Sequence, residues 1–88
     1  MPRRIGFVGL IIENREGVEA VNRVLSEHAD IIMGRMGLPC REKGISVITL
    51  VVEATTDELG ALSGKLGNIA GVSVKSSLAK ERKTGGAE

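Results

Sequence analysis

Apolar and branched residues run almost unbroken from Arg4 to Glu13 (RIGFVGLIIE), a pattern that predicts a strand. Asn14-Arg15-Glu16 interrupts the run, and Asn14 suits a helix N-cap. Between Gly17 and Glu27 the apolar positions are Val18, Val21, Val24 and Leu25, which form one helical face with Glu19, Asn22 and Arg23 outside it. Asp30 to Leu38 predicts a second strand, and Pro39 to Gly44 a polar turn that holds both Pro and Gly. Ile45 to Ala54 (ISVITLVVEA) is the strongest strand pattern in the chain. Thr55 with Glu58 fits a capping box, and Leu59, Leu62, Leu66 and Ile69 mark a second helical face that Gly71 ends. Val72 to Leu78 alternates as a fourth strand, and the charged, Gly-rich stretch from Ala79 to Glu88 is expected to be mobile.

The order β-α-β-β-α-β predicts an α+β fold, a ferredoxin-like sandwich with four antiparallel strands and two helices on one face. Residues 1–79 form its single domain and 80–88 a charged tail. Strands one and three are then central. Strands two and four are edges, which suits Asp30 and Arg35 in one and Lys75 with three serines in the other.

A sheet roofed on one face should alternate apolar and polar residues, but the central strands are apolar on both. Ile5, Phe7 and Ile11 share one face of strand one, and Val8, Leu10 and Ile12 the other. Strand three divides Ile48, Leu50 and Val52 from Ile45, Val47 and Val51. Two helices cover one face only, so the second would be an exposed apolar patch of several hundred Å2, the usual mark of an interface. The expectation is a homo-oligomer, a dimer or tetramer built through this face. Gly60, Gly64 and Gly67 form a stripe opposite the Leu face of the second helix. That stripe permits close approach of another backbone, marks a loosely held helix, or is simply small surface residues.

The 88-residue chain carries a net charge of +1, with one Phe and no Tyr or Trp. Near-neutral charge and missing stacking platforms argue against direct nucleic-acid binding. Arg3, Arg4, Lys80, Arg82 and Lys83 could cluster at one end of the sheet, but Glu81 and Glu88 dilute them and solubility is the plainer reading. The apolar run after Arg4 is too short for a membrane span and lacks a cleavage site. With a lone Cys, this points to the cytoplasm and to no membrane association. One His and one Cys cannot build the usual metal centre, and no nucleotide-binding loop or nucleophile-base grouping is present. No catalytic residue, metal or cofactor is expected. His28 suits a helix C-terminus, and Cys40, beside Arg41 and Lys43, reads as an exposed thiol whose acidity nearby cations could raise.

The turn after the first strand, Asn14-Arg15-Glu16-Gly17-Val18, followed by Val21, Val24 to His28 and Asp30-Ile31, resembles the signature of ACT domains. There a polar residue, a Gly and an apolar residue open the first helix, where backbone amides can receive a carboxylate. Glu16 stands where ACT domains often carry Pro, and an acid there disfavours an anionic ligand. The stretch from Asp30 to Gly37, Gly44-Ile45-Ser46, Thr55 to Glu58 and Gly64-Lys65-Leu66-Gly67 resemble a family of small proteins named as regulators of an iron-only hydrogenase system. The resemblance covers nearly the whole chain to about Ser77. It implies an ACT-like fold, similar also to the C-terminal regulatory domain of the nickel-responsive repressor. That repressor's metal site uses several His and a Cys, and its DNA-binding segment has no counterpart here, so neither property carries over.

The resulting expectation is a non-enzymatic regulatory domain that takes a small-molecule effector at a subunit interface. Its ligand residues would be Asn14, Arg15, Gly17 and Val18, with Arg35 as a further anion partner. The alternative is a ligand-free module that binds a hydrogenase maturation protein or a DNA-binding partner.

Overall fold

The computed structural model describes residues 2–80. It contains β1 (Arg4–Ile12), α1 (Arg15–Glu27), β2 (Ile32–Cys40), β3 (Ile45–Ala54), α2 (Thr56–Gly67) and β4 (Val72–Leu78). Single 3-10 turns at Ala29–Ile31 and Arg41–Lys43 lie on either side of β2. The strands form one antiparallel sheet in the order β2-β3-β1-β4, so the two most apolar strands are central.

Each helix starts where its cap dictates. Asn14 Oδ1 accepts the Gly17 backbone N–H at 2.6 Å, which opens α1 at Arg15, two residues earlier than the apolar periodicity suggests. Thr55 Oγ1 accepts the Glu58 N–H at 3.1 Å, and the Glu58 carboxylate accepts the Thr55 N–H at 2.8 Å. This reciprocal box satisfies two amides that would otherwise be orphaned. Gly71, at φ +81°, turns the chain from α2 into β4.

The second strand lies two residues further along than its sequence pattern suggests. Ala29–Ile31 closes a turn through the Ile31 N–H to the His28 carbonyl, which buries Ile31 and delays β2 until Ile32. At its far end β2 continues through Pro39, opposite Ser46, to Cys40. Pro lacks an N–H, and an edge strand has a free side on which none is needed.

The core lies between the sheet and the helices. Val8, Leu10 and Ile12 of β1 and Ile48, Leu50, Val52 and Ala54 of β3 meet Val21 and Leu25 of α1 and Leu59, Leu62 and Leu66 of α2. Among the described residues no polar or charged residue is buried as a whole. Cohesion is therefore hydrophobic, at roughly 1.5–3 kcal/mol per large side chain before conformational entropy opposes it. A Cβ placed on Gly60, Gly64 or Gly67 would meet nothing within 4 Å, so among the described residues nothing packs against this stripe. The tail beyond Lys80 and the bases Arg82 and Lys83 lie outside the described residues.

Candidate functional site

The β1–α1 turn is tied down from below. Glu13 N–H donates to the Gly71 carbonyl at 2.8 Å, and Asn14 Nδ2 donates to the Ala70 carbonyl at 3.4 Å. Both ends of the Asn14 amide are thus engaged, one capping α1 and the other holding the loop before β4. Gly17 is buried against this arrangement: a Cβ there would lie 2.9 Å from Ile12 Cγ2 and 3.0 Å from Asn14 Oδ1. Its role is close packing of helix on strand.

Above the turn opens a cleft of about 470 Å3. Ile12, Asn14, Arg15 and Val18 line one side; the β2–β3 hairpin supplies the other through Pro39, Cys40, Arg41, Gly44, Ile45 and Ser46. Sheet register brings the two sides together, because Ser46 pairs with Ile12 on β1 and with Pro39 on β2. The floor is apolar and the rim carries Arg15 and Arg41, both exposed. Among the described residues neither guanidinium forms an ion pair. Exposed Arg forks beside an apolar floor suit a small molecule bearing a carboxylate or phosphate.

Of the residues singled out in the sequence, Asn14, Arg15 and Val18 meet in this cleft, and Gly17 is buried beside it. Arg35 does not join them. It lies four residues along β2 from Pro39, on the helix side of the sheet, where its Nη2 donates to Asn22 Oδ1 of α1 at 3.0 Å. Cys40 and Arg41 enter the site from a segment that reads in sequence as an ordinary turn, and Ser46 from the start of the third strand. Only the pairing of Pro39 with Ser46 and of Cys40 with Ile45 reveals them.

Other candidate groups are committed elsewhere. Arg3 donates to both Glu58 carboxylate oxygens, at 3.1 and 2.8 Å, with Asp30 at 3.8 Å. The Arg3 hydrogen bond, then the Thr55 amide, holds the Glu58 carboxyl below the usual glutamate range. Arg4 donates to the Ala79 carbonyl at 3.1 Å and to Thr56 Oγ1 at 3.0 Å. Those two bases thus fasten the start of β1 to the cap of α2 and the end of β4. His28 ends α1, its N–H bonded to the Val24 and Leu25 carbonyls, while its Nε2 is buried with no partner. Among the described residues no three of His, Cys, Asp or Glu gather into a metal-binding group. Among the described residues no helix is long and apolar enough to cross a membrane.

The sheet face away from the helices is the second feature. Ile5, Phe7 and Ile11 of β1, Val47 and Val51 of β3, and Met36 and Leu38 of β2 share it by register. Phe7 is 53% exposed and Leu38 64%. On β4 the same face is polar, with Ser73, Lys75 and Ser77.

Residues 4–76 match the TM1266-like family model, described as "Iron-only hydrogenase system regulator, putative". The chain belongs to this family. Its fold is similar to that of the uncharacterized protein TM1266 from Thermotoga maritima, at 39% identity and a TM-score of 0.85, covering 89% of this chain and 99% of that one. The regulator family's ACT-like architecture is equally plain. The ACT domain of a GTP pyrophosphokinase from Chlorobium tepidum matches with a TM-score of 0.74 at 20% identity, covering 85% of this chain and 99% of that one. The C-terminal domain of the MgtC protein from Mycobacterium tuberculosis matches at 0.70 and 15% identity, covering 89% of each chain. At those identities the likeness is one of fold. No curated protein matches the chain.

Proposed function

We propose that this member of the regulator family is a small non-catalytic regulatory subunit. It assembles through the open sheet face and takes a small-molecule effector in the cleft above the β1–α1 turn. Control of an iron-only hydrogenase system, the role in the family's description, is the process it would serve. The observation that carries the reading is the unroofed apolar face. Phe7, Ile11, Val51, Met36 and Leu38 are all exposed on one side of a four-stranded sheet. The apolar part of the face spans β2, β3 and β1, about 14 by 30 Å in plan from strand spacing and rise. Water against so much contiguous apolar surface is unfavourable, and a second copy of the same face removes it symmetrically.

Asn14, Arg15 and Val18 are the effector contacts on the turn side of the cleft, with Arg41 and Ser46 facing them from the hairpin. Gly17 and Arg35 support the site by packing α1 and by bridging β2 to α1.

Sedimentation at micromolar concentration tests assembly, with a dimer or tetramer expected and a monomer contradicting it. Isothermal titration against amino acids and nucleotides tests sensing. Heat that disappears in Arg15→Ala supports the cleft. Silence with every compound, together with capture of a hydrogenase maturation protein, favours a ligand-free interaction module.

A further inference from the structure

Within the strands, the open face carries one acid, Glu53 of β3, and one base, Lys75 of β4. Their register positions are related. Glu53 pairs with Ile5 on β1 and Lys75 with Gly9 on the same strand, so the two charges sit at opposite corners about Phe7. Two strand spacings and four residues of rise separate them by roughly 16 Å in plan, with Phe7 at the midpoint. Neither charge forms an ion pair within the chain among the described residues. Arg3, whose field reaches Glu53, is held by Glu58.

We infer that two copies pack open face to open face about a two-fold axis that passes over Phe7 and sets Glu53 of each copy against Lys75 of the other. This rests on the assembly reading above and fixes its register. A two-fold axis lying in the interface exchanges positions across itself. The axis perpendicular to the Glu53–Lys75 diagonal is therefore the one that superposes acid on base, twice. On a flat projection it runs from Phe7 toward Met36, so both side chains meet their own counterparts. It also brings Val51 toward Gly9 of the second copy, where the missing side chain leaves a hollow. Packed sheets lie about 10 Å apart, a gap that a Glu and a Lys side chain span together. Axes running along or straight across the strands leave each charge opposite an uncharged residue.

Charge reversal tests the register. In sedimentation equilibrium, E53K and K75E should each raise the dimer dissociation constant by about tenfold, from two lost pairs replaced by like charges. The double variant E53K/K75E should return close to the native value. K75E leaves the surroundings of Arg3 untouched and so isolates the intersubunit effect. A native dimer whose single variants dimerise unchanged, or whose double variant fails to recover, overturns this register and leaves assembly through the face standing. A native chain that stays monomeric overturns both. Both side chains are exposed, so circular dichroism should show every variant folded.

Discussion

The side chain of Asn14 lies directly against Gly71, where it occupies the space a Cβ would need. Gly71 also holds φ +81°, a conformation that costs an ordinary residue about 1–2 kcal/mol. Gly71→Ala is expected to destabilise the fold by at least that amount and to displace the cap of α1. Asn14→Ala should cost about 1 kcal/mol through the lost cap. Because both changes disturb one contact, the double variant should lose less than the sum of the two. Urea midpoints of the two single variants and the double decide it.

Glu58 makes stability depend on pH. Its carboxyl lies below its ordinary value because Arg3 and the Thr55 amide favour the charged form. A depressed folded value means that the unfolded chain binds the proton first. The contribution is thus complete above the ordinary glutamate range, near 4.3, and is lost as pH falls from there through the lower folded value. Glu58→Gln should flatten that acid limb, and Arg3→Ala should shift it upward. Denaturant midpoints measured between pH 7 and pH 2.5 check both.

Gly60 and Gly64 sit inside α2 with open space where a side chain would point. Gly60→Ala and Gly64→Ala should each raise stability by about 0.5–1 kcal/mol, because Ala has less backbone freedom to lose. Thermal unfolding measures the gain. If either variant also weakened self-association, the stripe would be a contact between copies.

Phe7 is half exposed on the open face and half covered by its own chain. Phe7→Asp should therefore cost the isolated fold about 1–2 kcal/mol, through the lost burial and the poor fit of Asp in a central strand, and leave it folded. The same change places a charge at the centre of the proposed interface and should abolish the dimer. Sedimentation combined with far-ultraviolet circular dichroism separates these effects.

The order of elements, the central place of β1 and β3 and both helix caps are legible in the chain, because each rests on local chemistry. The alternation of Val8, Leu10 and Ile12 with Phe7 and Ile11 assigns residues to the two faces of β1, and Asn14 and Thr55 cap helices that follow them directly. The cleft is different. Arg15 faces Arg41 and Ser46 only because Ile12 pairs with Ser46 and Ser46 with Pro39, contacts made across turns whose register no local pattern fixes. Arg35, equally conspicuous in the sequence, is carried away from the cleft by the same ladder and bonded to Asn22. Side-chain periodicity is a property of neighbours along the chain, so the sequence determines the elements and their greasy faces. Which polar groups meet is set by hydrogen-bond register between strands distant in sequence, and that only the tertiary structure decides.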